Sequence, residues 1–295
     1  MPGEAVFTRG SMRASGVGAE YDRNRSRLLL LNDARVRLVG DAITTEIASQ
    51  SATLSWRGIV KIRRHPAGLA DVIIGPAIFL VLFGYVFGGA ISGDTSAYLQ
   101  FVFPGILGMM TLFATMGVGV SLSTDLQDGI FDRFRSLPIA RISPLVGAIG
   151  SDIVRQLVSL TALIGFGLLL GVRFQTDLWS ILAACALAIA FALSVSWALV
   201  LLALVIKEPQ AVQGLGAVLI IPLAFASNIF VPVDTMPGWM QTFASWNPVG
   251  HLVDAVRGLM MGGPVAEPVT LTLIWMAAFI VIFAPLSLIA YNRTR

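Results

Sequence analysis

To hold nucleotide phosphates, a chain needs a glycine-rich loop ending in Gly-Lys-Ser/Thr, where backbone amides and the lysine grip the phosphates together. This chain has two lysines, Lys61 followed by Ile62 and Lys207 followed by Glu208. Neither stands in such a loop, so any ATP hydrolysis must come from a second polypeptide. No serine stands three residues before a lysine and no GxSxG elbow occurs, so the common serine-hydrolase motifs are absent, which leaves scattered carboxylates as the one remaining basis for a membrane enzyme. Cys185 is the only cysteine and lies in an apolar helical run, so it reads as a small packing residue. His65 and His251 are far apart and outside any metal-binding spacing, and both read as interfacial residues. The chain is read as no enzyme, with no metal or cofactor of its own.

Two charged groups fall inside apolar sequence. Asp152 and Arg155 stand three apart, so they share a helical face and can pair. Burying either alone would cost several kcal/mol, which makes such residues functional candidates. The blander alternative, which we favour, is that this helix begins below the membrane and both lie at its cytosolic end. Asp71 invites the same interpretation. A third candidate is the stretch from Asp125 to Pro138, where acids, arginines and the apolar Ile130, Phe131, Phe134 and Leu137 share a short helix. Such a surface suits docking into a partner's groove. It equally suits a connector lying on the membrane, with its arginines on lipid phosphates.

The elements that must position these groups follow from composition. Of 295 residues, 56% are hydrophobic and only 13% charged, and the mean hydropathy is +0.81. Soluble domains carry about a quarter charged residues, so lipid is the solvent for most of this chain. The net charge of +3 reflects topology rather than nucleic acid, which we exclude as a partner. Six apolar segments are each long enough to cross the bilayer: 69–90, 98–123, 144–171, 178–206, 212–231 and 269–291. With the N-terminus in the cytosol, the inside segments hold nearly all the lysines and arginines. Eleven lie in residues 1–68, three in 124–143, one in 207–211 and two in 292–295, against only Arg173 and Arg257 outside. Both termini are therefore expected in the cytosol.

Residues 1–40 show little periodicity and no secretory signal, and are expected to form a mobile cytosolic tail, with a short helix over Arg27 to Val39. Residues 41–66 carry Trp56, Arg57, Lys61, Arg63 and Arg64 beside spaced isoleucines, the pattern of an amphipathic helix on the membrane surface. Outside, Pro232–Pro268 is more than a loop. Trp239, Met240, Phe243, Trp246, Leu252, Val253, Val256 and Leu259 give it an amphipathic character, with breaks at Pro237-Gly238 and Asn247-Pro248.

Three separated stretches carry a resemblance. The first is Arg63-Arg64-His65-Pro66 leading to Pro76-Ala77-Ile78-Phe79-Leu80 and on to Gly88. The second runs from Phe103-Pro104-Gly105 to Asp128-Gly129-Ile130-Phe131-Asp132-Arg133-Phe134-Arg135-Ser136-Leu137-Pro138. The third joins Asn228-Ile229-Phe230-Val231-Pro232 and Met236-Pro237-Gly238-Trp239 to Asn247-Pro248-Val249 and Asp254-Ala255-Val256-Arg257-Gly258. In this order the chain, from about residue 55 onward, resembles the ABC-2 type transporter permeases, in their daunorubicin-resistance-like branch.

The resemblance implies an all-α membrane fold of six spans over residues 67–295, preceded by a connecting helix at 41–66. It implies a bacterial cytoplasmic-membrane subunit that exports a lipophilic drug or lipid, as in antibiotic resistance. The partners it implies are two copies of a separate ABC ATPase that holds the ATP and Mg, and a second permease, either the same chain or a sister. Asp125, Asp128, Phe131, Asp132, Arg133, Phe134 and Arg135 would form the coupling helix to that ATPase, although the family's loop often opens with glutamates where aspartates stand here. Pro232, Pro237, Trp239, Trp246, Asn247 and Pro248 would belong to re-entrant helices capping the pathway. Phe113, Met116, Phe225 and Asn228 are the candidates to line the cargo path on spans two and five. Gly84-xxx-Gly88 and Gly167-xxx-Gly171 mark close helix approaches. The competing reading is an ATP-independent secondary transporter or a membrane assembly factor. A proton-coupled carrier would place acids in mid-span, and Asp152 alone comes near such a position.

Overall fold

The computed structural model describes residues 66–89, 93–129 and 143–293, together with five short strands between residues 5 and 38. The strands β1 (Ala5–Arg9), β2 (Met12–Gly16) and β5 (Arg35–Leu38) form an antiparallel sheet in the order β1-β2-β5. The strands β3 (Ala19–Asp22) and β4 (Arg27–Leu30) make a separate pair. The helix expected over Arg27 to Val39 is thus replaced by two strands. Arg35-Val36-Arg37-Leu38 alternates with period two, the repeat of a strand. The connecting helix expected at 41–66 lies outside the described residues up to Pro66.

From residue 66 onward, the regular structure among the described residues is helical. Helix α1 (Pro66–Val81) runs into a π-helical turn at Leu82–Phe87. There follow α2 (Thr95–Gln127), α3 (Ser143–Leu169), α4 (Leu178–Ile206), α5 (Pro209–Phe225), α6 (Gly238–Trp246), α7 (Pro248–Met261) and α8 (Ala266–Arg293). Four of them, α2, α3 from Asp152, α4 and α8, are long and apolar enough to cross a membrane. The apolar stretches Ile74–Phe87 and Pro209–Phe225 are shorter.

Cap chemistry sets several boundaries. Asp94 accepts from the Ser96 amide at 2.9 Å to start α2. Asp177 precedes α4, and the Ser180 hydroxyl donates to its carboxylate at 2.6 Å, holding that carboxyl below its ordinary range. Lys207 turns left-handed at φ 60° to end α4, and Pro209 opens α5 two residues later.

Helix α2 is the axis of the bundle. Its apolar stretch is 72% buried, against 6% for α8, and α3, α4, α5 and α7 all pack on it. At 33 residues it is about 50 Å long, more than a bilayer core requires. Gly105 allows the closest backbone approach: a Cβ there would sit 2.8 Å from the Ile229 carbonyl oxygen. Of the two expected small-residue pairs, Gly84 admits Leu99 and Gly167 admits the Phe103 ring, both from α2. Gly171 instead takes φ +95° to turn the chain after α3. Helix α8 lies along α4, where the Ser287 hydroxyl donates to the Trp197 carbonyl at 3.1 Å.

The fifth apolar segment, expected as helix to Val231, stops at Phe225. Residues 226–231 turn instead. Carbonyls at this helix end are claimed from a distance: Asn247 Nδ2 donates to Leu223 O at 2.7 Å and to Ala226 O at 3.0 Å. The segment 232–268, expected outside, divides into two unlike helices. On α6, Trp239 and Trp246 are 71% and 73% exposed, the presentation of a membrane-interface anchor. On α7, Leu252, Val253 and Val256 are fully buried against α2, α4 and α8, so this helix belongs to the core.

Candidate functional site

Three places in the helical bundle gather polar groups that an apolar protein has reason to avoid. The first lies on α3. Asp152 is 2% exposed and Gln156 1%, and the Gln156 amide donates to Asp152 Oδ2 at 2.7 Å. Arg155 donates through Nε to Asp152 Oδ1 at 2.9 Å, and its Nη2 also reaches that oxygen. The same Nη2 crosses to α2 and donates to the Ala114 carbonyl at 2.8 Å. Both carboxylate oxygens are engaged and the charges cancel, which makes burial of the pair tolerable. Asp152 is the first residue of the apolar part of α3, with Arg155 one turn further in. Ala114 itself is about 20 Å from the end of α2 at Gln127.

The second place is a cavity of about 530 Å³ beside this pair, between α1, α2, α3 and α5. Its size falls within the usual range of ligand pockets. Pro76, Phe79, Met110, Phe113 and Met116 supply apolar walls, and Arg155, Ser159 and Gln213 supply polar ones. Aromatic rings and flexible thioethers make a surface that adapts to large apolar ligands.

The third place ties the turn after α5 to α7. Asn228 is 5% exposed, and its amide donates to Asp254 Oδ1. Arg257 donates to the same oxygen through Nη1 at 3.0 Å. Its Nη2 donates to the Asn228 carbonyl at 2.9 Å and to the Phe101 carbonyl at 3.4 Å. The guanidinium lies 4.3 Å from the Phe101 ring centroid. Beside it, the Tyr98 hydroxyl donates to the Phe230 carbonyl at 3.1 Å.

The four expected path residues therefore part company. Phe113 and Met116 line the cavity. Phe225 is half exposed and stands against Phe230, while Asn228 belongs to the bracket with Arg257. In the segment between α5 and α8, Asn247 accepts from the Val249 amide at 2.9 Å with Pro248 as the first residue of α7. Pro232 precedes a short 3-10 turn at Val233–Thr235, and Pro237 precedes α6. Of the expected docking residues, Asp125 and Asp128 occupy the last turn of α2 and its C-cap. Phe131, Asp132, Arg133, Phe134 and Arg135 lie outside the described residues. An exposed carboxylate at a helix C-terminus stands at the negative end of the dipole, where a cationic partner group is stabilised.

Arg257, Asp254, Ser159, Gln213 and Gly117 were not among the expected site residues. Asp254 and Arg257 did carry a signal, the same i, i+3 spacing as Asp152 and Arg155. Gly117 carried none: a Cβ there would overlap the Arg155 guanidinium, a constraint set by a residue on another helix.

Comparison with known proteins adds three findings. A family model described as ABC-2 type transporter matches residues 49–261. A daunorubicin resistance ABC transporter permease protein of Streptomyces coeruleorubidus is 40% identical over 245 residues, covering 82% of this chain and 87% of its own length. A doxorubicin resistance ABC transporter permease protein of Mycobacterium tuberculosis is 30% identical over 235 residues, covering 74% of this chain and 80% of its own.

Proposed function

The chain belongs to the ABC-2 type transporter family, and from that premise we propose that it is the membrane subunit of an exporter for lipophilic drugs of the daunorubicin kind, driven by a separate ATPase. The observation that carries the reading is the cavity of about 530 Å³ between α1, α2, α3 and α5, walled by Phe79, Phe113 and Met116. In this reading α1 and α5 cross the membrane together with α2, α3, α4 and α8. The tilt or depth of the two shorter helices is made up by the packed helices beside them. Both termini face the cytosol, α6 and α7 lie on the outer side, and two permeases assemble over two ATPase subunits.

Mechanistically, the residues from Asp125 to Pro138 pass the closure of the ATP-bound partner to α2 and α3. Helix α2 is suited to this, because one continuous rod runs from Asp128 past the cavity at Phe113 to the bracket at Phe101. A shift at its lower end is felt at both places. The ATP-bound partner must favour one arrangement of the helices by a few kcal/mol to move the population. The alternative of a proton-coupled carrier is weakened by Asp152, whose oxygens are taken by Arg155 and Gln156 rather than left to exchange a proton.

Inverted membrane vesicles from cells expressing the permease with its ATPase test this reading. ATP-dependent uptake of daunorubicin, abolished by vanadate, is the expected result. Uptake driven by a proton gradient without ATP would overturn it.

A further inference from the structure

The cavity wall on α3 and α5 holds polar groups that the fold leaves unused. Arg155 spends Nε and Nη2 on Asp152 and Ala114, while its Nη1 has no hydrogen-bond partner among the described residues. Ser159 is 6% exposed and its hydroxyl makes no hydrogen bond there, nor does the Gln213 amide. Asp152, Arg155 and Ser159 follow one another at i, i+3 and i+7, so α3 presents them as one stripe. These donors stay accessible from the cavity, which is open on one side, and they gather on one wall of it while Phe79, Met110, Phe113 and Met116 form the other.

The electrostatics narrow the ligand. Asp152 neutralises Arg155, so the wall offers a directed N–H donor without net positive charge. Such a donor recognises an acceptor oxygen whatever the total charge of the molecule carrying it. Gly117 is what lets the guanidinium lie between α3 and α2, since a Cβ at that position would occupy its space.

We propose that this cavity is a cargo subsite in which Arg155 Nη1 and the Ser159 hydroxyl hold an acceptor oxygen of a lipophilic molecule while its flat or acyl body lies against Phe79, Phe113 and Met116. The proposal rests on the exporter reading for what the occupant is, and on the cavity alone for where it binds. An acceptor oxygen can come from a drug carbonyl or from a lipid phosphate, and the two are separable.

The test titrates daunorubicin and, separately, a fluorescently labelled phosphatidylglycerol onto the purified permease–ATPase complex in nanodiscs. Replacing Arg155 alone would strand Asp152, so Arg155→Gln is combined with Asp152→Asn. Ser159→Ala leaves the ion pair in place and serves as the second variant. The paired variant raises the daunorubicin Kd about tenfold, and Ser159→Ala raises it about threefold, as the loss of a charged and a neutral hydrogen bond implies. Val281→Ala, on the exposed side of α8, leaves it unchanged. A shift for the phospholipid alone also upholds the subsite and assigns the acceptor to a lipid phosphate. Unchanged Kd values for both probes in folded variants overturn it. Where purification from cells expressing the native neighbours yields no ATPase, the permease alone is titrated, and a loss of daunorubicin affinity in these variants then keeps the subsite and refutes the exporter reading.

Discussion

Arg257 donates to the Asn228 carbonyl at 2.9 Å, tying the core helix α7 to the turn in which α5 ends. The Asn228 amide returns the contact through Asp254, so backbone and side chain of one residue are both held. This bracket makes the α7 end of the bundle a unit rather than a set of loops.

Arg257→Ala should therefore loosen that end. Removing the guanidinium leaves the Asn228 and Phe101 carbonyls and Asp254 short of a donor, a loss of about 2 kcal/mol. Arg257→Lys keeps the charge but not the fork, and should lose less. Thermal unfolding of the detergent-solubilised protein measures the order, wild type above Lys above Ala.

Asn247→Ala should cost a similar amount for a different reason. It removes the cap of α7 and uncovers the Leu223 and Ala226 carbonyls, together about 2 to 3 kcal/mol. Asn247→Asp would restore the cap acceptor but not the amide donor, so it recovers only part of the loss. The same melts decide between these outcomes.

What was legible in the sequence was what short-range patterns encode. Apolar runs announced the helices, and three-residue spacing announced the Asp152–Arg155 pair. The end of α5 at Phe225 was hidden because its carbonyls are satisfied by Asn247, more than twenty residues onward. The cavity was half legible: Phe113 and Met116 lie on α2, whose periodicity was clear. Ser159 and Gln213 joined it only through the packing of α3 and α5. β4 was hidden in a run of leucines, which has no period, and the alternation of β5 covers only four residues, too short to weigh against a helix.

The placement of α6 outside and Asp128 inside is open to direct labelling. In a Cys185→Ala background, Trp239→Cys should react with a membrane-impermeant maleimide on intact cells. Asp128→Cys should react only after permeabilisation. Both are exposed positions, so silence of the first with reaction of the second on intact cells would invert the topology.

The central claim, a permease powered by a separate ATPase that docks at the end of α2, is tested most directly by a mild-detergent pull-down with the co-purifying chains identified and their ATP hydrolysis assayed. A Walker-A-bearing partner with vanadate-sensitive hydrolysis is the expected result. This partner should be lost when Asp128→Lys and Asp132→Lys are combined with Phe131→Ala, while the permease still inserts in the membrane. An intact permease recovered alone from cells expressing its native neighbours would contradict the account.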